Sequence, residues 1–153
     1  MQKKISFKKI GIEDLKTLQN LQEEHKKEIN NIWTSRELNN LIKKKTSFAR
    51  LSKYGKKTIG FSISSYSENL MDIFLIFVVP EYRRNGIAEK FLRHIKNFCK
   101  SNLINKIILE VNENNQAACL LYQKFGFRKV GKRKDYYFMN GKKSDAILME
   151  LNL

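Results

Sequence analysis

Apolar and polar residues alternate at the start of the chain, where Ile5, Phe7 and Ile10 mark a first strand over Lys4–Ile10. The spacing then lengthens, and Leu15, Leu18, Leu21 and Ile29 recur as on a helix. Thr34-Ser35-Arg36-Glu37 has the form of a capping box, with Leu38, Leu41 and Ile42 behind it, so a second short helix is expected there. Strands follow at Ser47–Ser52 and Thr58–Ser65 around the turn Tyr54-Gly55-Lys56-Lys57. Asp72–Val79 is a continuous apolar run after its acid, the pattern of a strand covered on both faces. From Gly86 onward, Ile87, Phe91, Leu92, Ile95, Phe98 and Cys99 trace one helical face, while Glu89, Lys90, Arg93 and Lys96 trace the other. Lys106–Val111 reads as another buried strand. Asn115 or its neighbour caps a helix carrying Ala117, Ala118, Leu121, Tyr122 and Phe125, which Gly126 stops. Phe127–Gly131 and Ala146–Leu151 close the chain as two more strands. The order is that of a mixed α+β fold with about seven strands and about four helices.

One proline and seven scattered glycines leave no linker, repeat or low-complexity tract, so a single domain is expected over residues 1–153. Cys99 and Cys119 have no CxxC spacing and no pair of histidine ligands to join, which argues against zinc, and against a disulfide framework. No metal is expected. No apolar stretch approaches the length that spans a bilayer, and the N-terminus has charges without a following apolar region, so a cytoplasmic protein without membrane contact is expected. The net charge of +15 favours polyanions such as RNA or a ribosome surface. A biased Lys, Asn and Ile composition produces the same charge without any such partner, and neither Lys43–Lys45 nor Lys132–Lys134 decides between the two.

Candidate chemistry concentrates in three places. Arg83-Arg84-Asn85-Gly86-Ile87-Ala88 falls where a strand ends and a helix begins, so amides without intrahelical partners point outward. Gly86 leaves room for an anion to approach the backbone, Ala88 keeps the next turn small, and the arginines add charge. The corner suits a pyrophosphate, and it equally suits a basic turn that only caps a helix. The absent Gly-Lys-Ser/Thr and the single glycine exclude a P-loop and a dinucleotide fingerprint. Glu110 is the only charge between Ile107 and Val111. A carboxylate buried among aliphatic side chains would have its pKa raised toward the range of a general base; on an accessible face it is an ordinary glutamate. Tyr122 lies one helical turn beyond Ala118 and shares its face, which fits either a ligand-facing hydroxyl or a core aromatic. His25 and His94 fall on polar helical faces and Cys119 reads as a small core residue; none receives a role.

The stretch VVPEYRRNGIA, Val78–Ala88, resembles the acetyl-coenzyme A binding motif of the GNAT N-acetyltransferases, Arg/Gln-x-x-Gly-x-Gly/Ala after a strand ending in Val-x-Pro. The resemblance continues through LEVNENNQAACLLYQKFGF, Leu109–Phe127. It implies the acyl-CoA N-acyltransferase fold, a mixed, mostly antiparallel twisted sheet flanked by helices, with acetyl-CoA as cosubstrate. It implies further that Phe77, Val78 and Val79 splay away from Lys106–Val111 and pair with pantetheine, with amides near Val79 at the thioester oxygen. Arg83, Arg84, Asn85, Gly86, Ile87 and Ala88 would hold the pyrophosphate, and Asn115, Ala118 and Tyr122 the pantetheine arm. By the same resemblance Glu110 is the general base and Tyr122 the general acid.

Within that superfamily, Arg133–Tyr137 followed by Gly141–Ala146 is similar to the tail of the RimI-type enzymes, which acetylate the N-terminal alanine of a small-subunit ribosomal protein. Trp33-Thr34 resembles the family's Pro-Trp-Ser segment, with Ile32 where proline is usual, and Trp33, Tyr136 and Tyr137 are the implied acceptor contacts. An α-amine has a pKa near 8 against about 10.4 for lysine, so the neutral form of lysine costs about 3 kcal/mol more at pH 7. A single modest base therefore suits a protein N-terminus. Acetylation of a lysine or small-molecule amine, and a non-catalytic CoA- or RNA-binding module, are the alternatives.

Overall fold

The computed structural model describes residues 4–153; the first three residues of the expected domain lie outside it. The elements follow the order β1 (Ile5–Lys9), α1 (Leu15–Glu24), α2 (Ser35–Lys43), β2 (Ser47–Tyr54), β3 (Lys57–Ser67), β4 (Leu70–Val78), α3 (Ile87–Ser101), β5 (Lys106–Asn112), α4 (Gln116–Phe125), β6 (Arg128–Met139) and β7 (Lys142–Asn152). This is the α+β order read from the sequence. The strands form one sheet, β1-β2-β3-β4-β5-β7-β6, antiparallel throughout except where β4 and β5 run parallel, with α3 as their crossover.

Alternation along the strands sends side chains to two cores. Leu92, Ile95 and Cys99 of α3 and Tyr122 of α4 pack on Met71, Ile73, Ile107, Leu109 and Val111. On the opposite face Leu18 and Leu21 of α1 and Leu38 and Leu41 of α2 pack on Ala49, Leu51, Phe61, Ile63 and Phe77. The helix ends follow from local chemistry. Thr34 accepts a hydrogen bond from the Glu37 amide (3.2 Å) while the Glu37 carboxylate accepts from the Thr34 amide (2.7 Å), the reciprocal pair that the capping box implied. At the other extreme, α4 stops because Gly126 takes φ +116° and its N–H, with that of Phe127, returns to the Tyr122 carbonyl.

Four sequence expectations need correction. First, α1 ends at Glu24, and Ile29 is buried from the following loop rather than from the helix. Second, β4 is not covered along its whole length: Phe74 is 41% exposed. The register steps from Ile63↔Leu75 to Ser64↔Ile73, so Phe74 is the extra residue of a β-bulge, which breaks the alternation that a continuous apolar run conceals. Third, the last two strands form a much longer hairpin than their apolar cores indicated, because the polar Lys132, Arg133 and Lys142–Ser144 still pair. Fourth, the histidines are not solvent decoration. His94 packs edge-on against Phe7 at 4.9 Å, and His25, at the C-terminal cap of α1, lies 5.2 Å from the Phe77 ring.

Candidate active site

The parallel ladder between β4 and β5 runs only from Leu70↔Lys106 to Ile73↔Leu109. Beyond it β4 stays paired with β3 as far as Val78, and β5 stays paired with β7 as far as Asn112. The two strands therefore keep their outer neighbours and lose each other, opening a wedge at their C-terminal ends. The Phe74 bulge sits one residue past the last shared pair, where the extra residue bends β4 away.

Backbone groups line the β4 side of this wedge. The Val79 amide donates to the Ile59 carbonyl at 2.9 Å, which makes Val79 and Ile59 a hydrogen-bonded pair. In an antiparallel ladder such pairs alternate, so Phe77 also faces β3, whereas Ile76 and Val78 turn their N–H and C=O groups into the gap. The free amide at this end of β4 is thus that of Val78, while the amide of Val79 itself is committed to Ile59.

At the end of β4 the chain makes a short turn over Pro80–Tyr82 and passes through two left-handed residues, Arg84 (φ +62°) and Gly86 (φ +73°), into α3. The first helical bond joins the Lys90 amide to the Gly86 carbonyl at 3.0 Å, which leaves the amides of Ile87, Ala88 and Glu89 without helical acceptors. A Cβ built on Gly86 meets nothing within 4 Å, so the space before these amides is open. Asn85 closes the turn instead of facing outward, donating through Nδ2 to the carbonyls of Tyr82 (3.0 Å) and Arg83 (3.1 Å). Arg83 also turns back: its Nε donates to the Val78 carbonyl at 2.9 Å and its Nη1 to Glu28 Oε1 at 3.0 Å. Arg84 stays exposed beside the amides.

On the β5 side, Asn115 caps α4 by accepting from the Ala118 amide at 3.1 Å. Tyr122, one turn further, is buried and packs edge-on to Phe127 at 5.7 Å. Its hydroxyl makes no hydrogen bond among the described residues, and burial holds its pKa well above the usual phenol value, with Cys119 and Tyr137 adding to the shift. Cys119 donates weakly to the Asn112 carbonyl at 3.8 Å, and burial pushes its thiol up as well, the opposite of an activated nucleophile.

Glu110 faces the other way. Leu109 and Val111 enter the α3/α4 core, so Glu110 lies on the α1/α2 face, 29% exposed, with its Oε1 3.0 Å from Arg133 Nε. Of the two surroundings the sequence left open for it, burial among aliphatic side chains is absent, because the strand alternates. The β6–β7 register supplies the surroundings. Arg133 pairs with Ala146 and Tyr137 with Ser144, so Lys134, Asp135 and Tyr136 bulge out opposite Asp145 alone. Asp135 takes φ +51° and its amide donates to Asp145 Oδ1 at 2.8 Å, fixing the bulge. Tyr136 is left half-exposed and Tyr137 buried, their rings 5.0 Å apart and edge-on. The Glu110 charge is the main cause of a raised Tyr136 pKa. Tyr137 is pushed up to about 12 by burial and then by Glu110, and its charge in turn acts on Tyr122.

The loop between α1 and α2 covers the wedge. Gln22, buried in α1, fixes Trp33 by accepting from its amide at 2.8 Å and donating to its carbonyl at 3.1 Å. Trp33 then packs 5.7 Å from Phe74. Glu28 binds Arg83 on the β4 side, and Asn30 Oδ1 accepts from Asn112 Nδ2 at 3.4 Å on the β5 side. The site therefore brings together the sequence-selected Trp33, Val78, Gly86, Glu110, Tyr122, Tyr136 and Tyr137. Gln22, Glu28, Asn30, Phe74 and Arg133 were not singled out. Gln22 had a signal, a polar residue adjoining the Leu18/Leu21 stripe; the others depend on strand register and loop path.

Comparison with known proteins agrees with this geometry. Residues 17–140 match the acetyltransferase (GNAT) domain family. The [ribosomal protein bS18]-alanine N-acetyltransferase of Escherichia coli (strain K12) is 32% identical over 95 residues, a match that spans 62% of this chain and 64% of that enzyme's length. A crystal structure of the ribosomal-protein-S18-alanine N-acetyltransferase from Escherichia coli superposes with a TM-score of 0.87 at 23% identity, covering 97% of this chain and 94% of that one. Arabidopsis thaliana NAA60 in complex with acetyl-CoA superposes with a TM-score of 0.85 at 20% identity, covering 98% and 99% of the two chains.

Proposed function

Because the chain belongs to the GNAT acetyltransferase family, we propose that it acetylates the α-amine of a protein N-terminus, with the N-terminal alanine of a small-subunit ribosomal protein as acceptor. The observation that carries this reading is that the two groups suited to proton transfer occupy opposite faces of the sheet. Tyr122 stands on the α3/α4 face and Glu110 on the α1/α2 face, and the parting of β4 from β5 is the opening between them. Such an arrangement lets a thioester enter from one side and an amine from the other.

Acetyl-CoA, when bound, supplies the acetyl thioester. The open corner at Gly86 and the amides of Ile87 and Ala88 fit its diphosphate, with Arg84 adding charge and Asn85 holding the turn. Ile76 and Val78 offer the amide-bearing arm a strand edge, a role that Phe77 and Val79, tied to β3, support from behind, while Asn115 and Ala118 border the arm on α4. The Val78 amide is placed to meet negative charge developing on the carbonyl oxygen. Glu110 takes the proton from the acceptor ammonium, the nitrogen–carbon bond forms as the carbon–sulfur bond breaks, Tyr122 gives its proton to the departing thiolate, and the second proton that the nitrogen sheds as it becomes an amide restores the Tyr122 phenol. Burial keeps that phenol protonated throughout the neutral range, as an acid must be. Trp33, Tyr136 and Tyr137 border the acceptor side.

The experiment is a transfer assay with acetyl-CoA and a panel consisting of Ala-starting peptides, internal-lysine peptides and a polyamine, read by mass spectrometry. A single acetyl on the α-amine of the Ala-starting peptide is the expected product. A preference for lysine or polyamine would overturn the acceptor assignment, and transfer to nothing would overturn the activity.

A further inference from the structure

Asp72 stands out in the electrostatics of this chain. Of the carboxylates that are not fully exposed, Asp14, Glu89, Glu110, Glu113, Asp145 and Glu150 each have a lysine or arginine within 4 Å. Asp72 has none among the described residues, although the chain carries 30 lysines and arginines. Its electrostatic neighbour is another acid, Glu110, whose charge, after burial, raises its pKa. Register explains the pairing: Asp72 lies opposite Ile108 in the short β4–β5 ladder, so Glu110, two residues on, is its diagonal neighbour on the same face. That face is the one bordered by Tyr136 and, past the bulge, by Phe74 and Trp33. Two carboxylates, Asp72 and Glu110, therefore share this side of the wedge with one nearby guanidinium, that of Arg133, which pairs with Glu110.

We propose that Asp72 is the specificity-determining residue of the acceptor side, docking the charged amine of the incoming substrate beside Glu110. This rests on the acetyltransferase reading above and deepens it. One uncompensated carboxylate is matched by one ammonium, so the substrate class is a free amine in its charged form. An α-ammonium is mostly in that form near pH 7. Asp72 positions it and Glu110 then removes the proton, so the two carboxylates divide docking from deprotonation. The arrangement discriminates against an acceptor whose amine is already blocked, because such a group leaves Asp72 half-buried and unpaired.

The test compares wild type with the isosteric Asp72→Asn and with Asp72→Glu, using calorimetric binding of an Ala-starting peptide and of its desamino counterpart in the presence of coenzyme A. Wild type is expected to bind the amine peptide at least tenfold more tightly than the desamino peptide. Asp72→Asn should abolish that difference while leaving desamino binding and coenzyme A affinity unchanged, and Asp72→Glu should restore part of it. In turnover the Asn variant should raise KM for the amine with kcat within a few-fold. Equal wild-type affinity for both peptides, or an Asn variant that still discriminates, would overturn the proposal, as would an equal loss for both peptides, which marks a structural role. Failure of the acetyltransferase reading would show separately, as wild-type enzyme that transfers to no amine.

Discussion

Arg83 Nη1 and Glu28 Oε1 stand 3.0 Å apart and join two loops separated by 55 residues of chain. The same guanidinium holds the Val78 carbonyl through Nε, so one side chain ties the end of β4 to the loop that carries Asn30 and Trp33. Arg83 therefore links the turn before α3 to the α1–α2 loop, and in the proposed reaction it would act as a positioning residue. Both partners are 41% exposed, so the ion pair contributes only about 0.5–1 kcal/mol. A double-mutant cycle with Arg83→Ala and Glu28→Ala, followed by thermal melting and by KM for the acceptor, should show non-additivity of about that size. Additive effects on both quantities would dissolve the link.

Gly86 separates conformation from ligand contact. At φ +73° any other residue except asparagine is strained, while a Cβ there meets no atom of the described residues within 4 Å. Gly86→Ala should cost about 1–2 kcal/mol of stability and lower acetyl-CoA affinity several-fold. Gly86→Glu adds charge conflict with a diphosphate and should abolish binding by calorimetry.

Glu110 and Tyr122 should fail in different ways from Gly86. Glu110→Gln and Tyr122→Phe each remove a proton-transfer group, and each should lower kcat by about 10²-fold or more while leaving acetyl-CoA affinity unchanged. Tyr122→Phe leaves no buried group stranded, since the hydroxyl has no hydrogen-bond partner among the described residues, so its melting temperature should match wild type within a degree or two.

The corner at Gly86 was legible in the sequence because caps and left-handed turns are written locally, in the residues that form them. Glu110 and Tyr122 were legible as positions but not in their surroundings. A lone acid in KIILEV is buried or half-exposed according to which face of the strand it takes, and that is decided by β4 and β7. The bulges at Phe74 and at Lys134–Tyr136 were hidden because an inserted residue leaves no mark in composition, yet they open the wedge and present Tyr136. Arg83 shows the same limit: its partner Glu28 stands 55 residues away, where no local pattern announces it.

Alkaline pH tests the buried phenols. Tyr122 and Tyr137 both have pKa values raised chiefly by burial, Tyr137 to about 12. Below about pH 10 both states of the protein keep these protons, and the two phenols add no pH dependence to stability. Above it the unfolded chain releases them while the folded chain holds them, so stability should fall as pH rises from about 10 through 12. Melting curves over that range should decline more steeply for wild type than for Tyr122→Phe. Parallel declines would place Tyr122 in contact with solvent.

The most direct measurement is a crystal structure with coenzyme A bound. The diphosphate should lie against the amides of Ile87 and Ala88 in front of Gly86, and the sulfur should enter the gap between β4 and β5 within hydrogen-bonding reach of the Tyr122 hydroxyl. A diphosphate bound elsewhere, or a sulfur that stays outside the gap with Tyr122 turned from it, would contradict the division of labour across the sheet on which the proposed reaction stands.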